Sequence, residues 1–157
     1  MALVAAYQDA RLVEDVARLR RALALRALIA TGASQREIAE ALGVSQPAIS
    51  QQLSAARGAI EVHPEVLLTA AAPILVELAQ DRGFANLAVF GSVARHEAQD
   101  DSDIDLIVTA PRGAGIKELL GLQQLFEATL GRPIDLATYG GLKPTIDDDI
   151  RAEAVML

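Results

Sequence analysis

Apolar residues recur at helical spacing through the first sixty positions and at strand spacing from about residue 86 onward. The stretch from about Arg11 to Thr31 predicts one helix. It is rich in helix formers, carries leucines at positions 12, 19, 23 and 28, and lacks glycine and proline until Gly32. "SQREIAEALG" predicts a second helix, with Ser34 as cap, Glu37 at the capping-box position and Gly43 as stop. "SQPAISQQLSAARG" predicts a third, with Ser45 as cap, Pro47 in the first turn and Gly58 as stop. "EVHPEV" reads as a linker, with His63 a surface residue, and Pro64 to Gln80 as a fourth helix. Beyond it, "NLAVF" (Asn86 to Phe90), "DIDLIV" (Asp103 to Val108) and "PIDLATY" (Pro133 to Tyr139) predict strands. A helix from Gly115 to Leu130 separates the last two and ends at Gly131, and a short helix starting near Pro144 closes the chain. Strands alternating with helices imply a small α/β sheet.

Charge divides the 157 residues in the same place. Residues 1–60 hold seven arginines against five carboxylates, and residues 61–157 hold seven cationic residues against sixteen carboxylates. The first part can approach a polyanion, whereas the second repels one unless cations intervene. Two units follow: an all-α one over 1–60 and a sheet-containing one over 61–157. There are no cysteines, which excludes disulfides, thiolate metal sites and a cysteine nucleophile. With no signal peptide and no apolar stretch long enough to span a bilayer, the expected setting is cytoplasmic, without membrane association.

In the first unit, Ile38, Ala39 and Leu42 predict the buried face of one short helix, and Ile49 and Leu53 that of the next. Ala39 allows a close crossing and Gly43 the turn. The stretch resembles the helix-turn-helix of bacterial DNA-binding regulators. On that reading Gln46, Pro47, Ser50, Gln51 and Ser54 face the major groove of double-stranded DNA, and Gln35, Arg36 and Arg57 contact phosphate. Such modules work as dimers on palindromic sites, so a homodimer is expected, with the long first helix as its contact.

In the second unit, "FGSVARHEAQDDSDIDLIV" sets Asp103 and Asp105 at alternate positions of a predicted strand, so both carboxylates share one face. Adjacent carboxylates stay ionised most easily with a divalent cation between them. Asp135 repeats the pattern of an acid between apolar strand residues. Gly91-Ser92, at the end of the preceding strand, offers backbone N–H groups and a hydroxyl to a phosphate. The parts add up to a site for a nucleoside triphosphate with Mg2+. A calcium loop starting at Asp101 is excluded, because Leu106 stands where it needs glycine and Arg112 where it needs glutamate. The G-x-S-x-G elbow of hydrolases is absent.

"GSVARHEAQDDSDIDL" followed by "PIDL" resembles the nucleotidyltransferase superfamily related to DNA polymerase beta, and more narrowly the MNT-type minimal nucleotidyltransferases. Gly91, Ser92, Arg95, Asp103, Asp105 and Asp135 match the family pattern, while His96 stands where the family has glycine. The resemblance implies a nucleotidyltransferase fold, an α+β or α/β unit with a small mixed sheet and helices, behind the all-α helix-turn-helix. It implies that Gly91, Ser92 and Arg95 bind nucleotide and that Asp103, Asp105 and Asp135 hold Mg2+, with Asp135 also accepting a proton. It further implies an antitoxin that transfers AMP from ATP to a tyrosine of a HEPN-type ribonuclease toxin, in a hetero-oligomer with that toxin, and that binds its own promoter. The alternative is a DNA-binding regulator whose second unit senses nucleotide without transferring it.

Overall fold

The computed structural model describes residues 1–57 and 61–157. Four helices precede the sheet: α1 (Ala2–Ala30), α2 (Gln35–Leu42), α3 (Gln46–Ala56) and α4 (Pro64–Asp81). There follow β1 (Ala85–Phe90), α5 (Gly91–Ala94), β2 (Ile104–Thr109), α6 (Ile116–Leu130), β3 (Ile134–Thr138), α7 (Asp148–Glu153) and β4 (Val155–Met156). The sheet order is β3-β2-β1-β4. β2 and β3 run parallel, and β1 runs antiparallel to both its neighbours, so the sheet is mixed.

Capping chemistry fixes α2 and α3 as the residues predict. Ser34 Oγ accepts from the Glu37 N–H, and Glu37 Oε2 accepts from the Ser34 N–H at 2.8 Å. Gly43 takes the left-handed conformation at φ +65 that ends α2. Ser45 Oγ accepts from the Ala48 N–H to start α3. Gly58, the expected stop of α3, lies outside the described residues.

Several expectations need correction. α1 begins at Ala2 rather than Arg11, because nothing in its apolar, alanine-rich opening interrupts a helix. Only Leu19 and Leu23 of the four leucines are buried: Leu12 is exposed on the N-terminal half of α1, which runs past the body, and Leu28 is exposed near its C-terminal end. Leu42 is 56% exposed; the α2–α3 core is Leu25, Ile38, Ala39 and Ile49, closed by the partly buried Leu53. The expected linker is largely the start of α4. His63 caps it, with Nδ1 accepting from the Glu65 N–H and Nε2 donating to the Ala98 carbonyl at 3.0 Å, so it is a half-buried tie rather than a surface residue. The last helix starts at Asp148, not near Pro144, which sits in a turn.

The main core joins α1, α4 and α6 to one face of the sheet. Leu19, Leu23 and Ala27 pack there with Leu67, Leu75, Leu106, Val108, Phe126 and Leu130. Two arginines of α1 weld it to the rest. Pro73 inside α4 has no N–H to give the Thr69 carbonyl, and Arg20 donates there and to the Ala70 carbonyl at 3.0 Å. Arg26 donates to the Ala128 and Thr129 carbonyls at the end of α6, both at 2.8 Å. Two of the seven arginines that make residues 1–60 basic are therefore spent on backbone carbonyls of the second unit. No helix of the described residues is long and apolar enough to cross a membrane.

Candidate active site

β2 alternates as its residues dictate. Ile104 and Leu106 are fully buried in the main core, and Asp105 between them faces the other way, half-buried. In the parallel pairing of β2 with β3, Asp105 stands directly beside Asp135. Registered neighbours on adjacent strands share a face and lie about 4.8 Å apart, so the two carboxylates are neighbours. Asp105 also pairs in register with Phe90, the last residue of β1, which brings the following Gly91 over its carboxylate. Gly91 has φ +71, and a Cβ there would collide with Asp105 Oδ2. Glycine is required at this position for its conformation and for the space it leaves.

The loops around the acids are tied down. Gln123 of α6 donates to the Ile134 carbonyl at 3.1 Å, and Glu127 accepts from the Ile134 N–H at 3.2 Å, which fixes β3 one residue before Asp135. Arg132 Nη2 donates to the carbonyls of Asp100 and Ser102 at 3.0 and 3.1 Å, clasping the loop that leads into Asp103. Asp103 itself precedes the strand, which begins at Ile104, and is exposed. Among the described residues no three histidine, aspartate or glutamate side chains already form a metal-binding array.

Asp105 shows the cost of this crowding. Burial pushes its pKa above the usual carboxylate range, and the charges of Asp135, Asp103 and Glu153 push it the same way, against a smaller opposing effect of Arg95. Arg95, held by Glu153 and Glu97, only partly offsets these effects. The donors are all hard oxygens, which suits Mg2+ and excludes soft metals as the preferred guest. In donor chemistry and in electrostatics the residues present fit a divalent ion.

The other expected residues fall into two groups. Gly91 and Ser92 open α5, but the Gly91 N–H donates to Glu153 Oε1 at 2.9 Å, and Arg95 pairs with Glu153 at 2.8 Å and Glu97 at 2.9 Å. Glu153 was not legible as a site residue; only its place ahead of a short apolar run, "AVML", hints at it. His96 adopts φ +57, the left-handed region where glycine is easy. Its ring turns away to Glu65, with Nδ1 at 3.1 Å from Oε2, and is 84% exposed. Of the residues expected at DNA, Gln46, Pro47, Ser50, Gln51, Ser54 and Arg57 of the α3 region are all exposed, as is Arg36, while Gln35 is half-buried at the start of α2.

A mixed four-stranded sheet with paired strand-borne acids beneath a Gly-Ser turn, behind a helix-turn-helix, defines the class: a nucleotidyltransferase with a helical N-terminal module. The chain belongs to the nucleotidyltransferase domain family, whose model matches residues 73–157, more than half of its length. A homeodomain-like domain model matches residues 15–61. The chain is 36% identical over 83 residues to a Methanocaldococcus jannaschii protein named provisionally as a protein adenylyltransferase, covering 53% of this chain and 85% of that one. It is 34% identical over 79 residues to the protein adenylyltransferase MntA of Thermococcus cleftensis, covering 50% of this chain and 80% of the relative. A solved structure described provisionally as a minimal nucleotidyltransferase aligns with TM-score 0.55 and 33% identity, over 59% of this chain and 95% of that one.

Proposed function

We propose that the protein is a Mg2+-dependent antitoxin that transfers AMP from ATP to a hydroxyl, a tyrosine by preference, of a HEPN-type toxin, and that its helix-turn-helix binds double-stranded DNA to regulate its own expression. The functional division lies at residue 60, with DNA contact in 1–60 and transfer in 61–157. The observation that carries the reading is the registered pair Asp105–Asp135 beside Gly91. The relatives named as protein adenylyltransferases support AMP as the transferred group and protein as the acceptor.

Asp103, Asp105 and Asp135 would hold Mg2+, which when bound neutralises triphosphate charge and lowers the pKa of the attacking hydroxyl. Ser92 contributes its N–H and hydroxyl to the phosphates, and Gly91 lets them approach the backbone. Arg95 lies at the same turn as a further nucleotide-binding candidate. The acceptor oxygen forms a bond to the α-phosphorus, the bond from that phosphorus to the bridging oxygen breaks, and pyrophosphate leaves. Asp135 takes the hydroxyl proton. The acceptor docks as a separate protein, a reading that the relatives named as protein adenylyltransferases support. Gln46, Pro47, Ser50, Gln51 and Ser54 of α3 face bases, and Gln35 and Arg36 of α2 and Arg57 just after α3 face phosphates.

Incubation with labelled ATP, Mg2+ and a candidate HEPN-type partner tests the reading. Label on the partner, lost in Asp103→Ala and Asp105→Ala, is expected. Nucleotide binding without transfer replaces the enzyme by a nucleotide-sensing regulator.

A further inference from the structure

The C-terminal segment reaches the site through one side chain. Glu153 is the last residue of α7, and two residues later β4 begins its pairing with β1, Val155 beside Val89. Leu157 N–H donates to the Leu87 carbonyl at 3.0 Å and fastens the end of the chain to β1. Held this way, Glu153 divides its carboxylate between two partners. Oε1 accepts from the Gly91 N–H at 2.9 Å, and Oε2 accepts from Arg95 Nη1 at 2.8 Å. Gly91 in turn is the residue whose missing side chain makes room for Asp105. A continuous line of contacts thus runs from α7 through the turn amide to the carboxylate on β2. The ionised form is favoured, first by Arg95 and then by the Gly91 N–H, so the Glu153 pKa lies below the usual carboxylate range.

We propose that Glu153 is a positioning residue for nucleotidyl transfer: its carboxylate bridges the Gly91 amide and the Arg95 guanidinium and holds the Gly91–Ser92 turn against Asp105. The inference rests on the reading of the site as a nucleotide site. Glu153 acts through Gly91 and Arg95. A glycine-led turn has no side chain of its own at Gly91 to lock it, and a turn already fixed when the triphosphate arrives spares binding the cost of ordering it. The two contacts separate by substitution. Glutamine keeps an acceptor for Gly91 and loses the charge opposite Arg95, whereas alanine loses both.

The test uses the full chain, 15N-labelled, titrated with α,β-methylene ATP and Mg2+ by calorimetry, with the Gly91 amide followed by NMR. Affinity is expected to fall about threefold in Glu153→Gln and about tenfold in Glu153→Ala. Gly91 amide exchange should be faster in Glu153→Ala, with β1 and β2 resonances in place. If the alanine variant fails to fold, the isosteric glutamine variant carries the test. Because Glu153 acts partly through Arg95, Glu153→Gln should cost less in an Arg95→Gln background than in the wild type. Unchanged or tighter binding by the Glu153 variants overturns the proposal, tighter binding marking Glu153 as a competitor for the phosphate position. A wild-type chain that binds no analogue overturns the nucleotide reading itself, and the role of Glu153 with it. Wild-type binding with unaffected variants removes only Glu153.

Discussion

The α2–α3 pair and the strand-borne acids use polar side chains in opposite ways. On α3 and at its C-terminal cap, Gln51, Ser54 and Arg57 stand apart in solvent outside a small core of Leu25, Ile38, Ala39 and Ile49. Around β1–β3, Asp105, Asp135, Glu153 and Arg95 crowd one turn, and burial and like charge hold the Asp105 pKa up. A surface of separately solvated groups costs the fold little and can be altered one residue at a time. A crowded site costs stability and depends on every member. Binding surfaces and reaction centres therefore differ in how substitution affects stability and activity together.

The largest effect should come from Asp105→Asn. Transfer should fall about 10³-fold, yet the metal-free protein should resist urea better than the wild type near neutral pH. The raised folded-state pKa sets the sign: the wild type has its full stability from this group below the unfolded-state value and loses it as pH rises through the folded-state value. The difference between the variants should therefore grow from acid to neutral pH in urea melts. Ile49→Ala, in the separate core, should cost about 2–5 kcal/mol of local stability, abolish DNA binding in a mobility-shift assay and spare transfer. Gly91→Ala should cost at least about 1–2 kcal/mol for its left-handed conformation, and the collision with Asp105 should remove transfer as well. Gln51→Ala should lose about 1–3 kcal/mol of discrimination between operator and scrambled DNA, with thermal stability unchanged. The smallest effect is a gain: His96→Gly should add about 0.5–1 kcal/mol by relieving the positive φ, net of the lost Glu65 contact.

What was legible follows from how local each signal is. Ser34, Glu37 and Gly43 announce α2 within ten residues, and the cap geometry agrees. The repeated acid between apolar residues in "DIDLIV" and "PIDLATY" marks Asp105 and Asp135 as strand residues, and the sheet sets them side by side. Features that depend on distant partners were hidden. Arg20 and Arg26 entered only the charge count of residues 1–60, because their partners lie 50 and 103 residues away. Glu153 meets Gly91 across 62 residues, through a β4 of two residues that is too short to show a period. Pro144 resembled a helix start, but the chain turns there, and Asp148 and Asp149 open the helix four residues later, where acids suit the dipole. The glycine expected at position 96 was a statement about φ, which the His96 backbone makes visible.

Titration of the 15N-labelled chain with Mn2+ in the presence of α,β-methylene ATP measures the central claim most directly. Paramagnetic broadening should begin at the amides of Gly91, Asp105 and Asp135, leave α2 and α3 sharp, and vanish in the Asp105→Asn, Asp135→Asn double variant. Broadening that is spread evenly over the acidic surface, or that survives in the double variant, would contradict it.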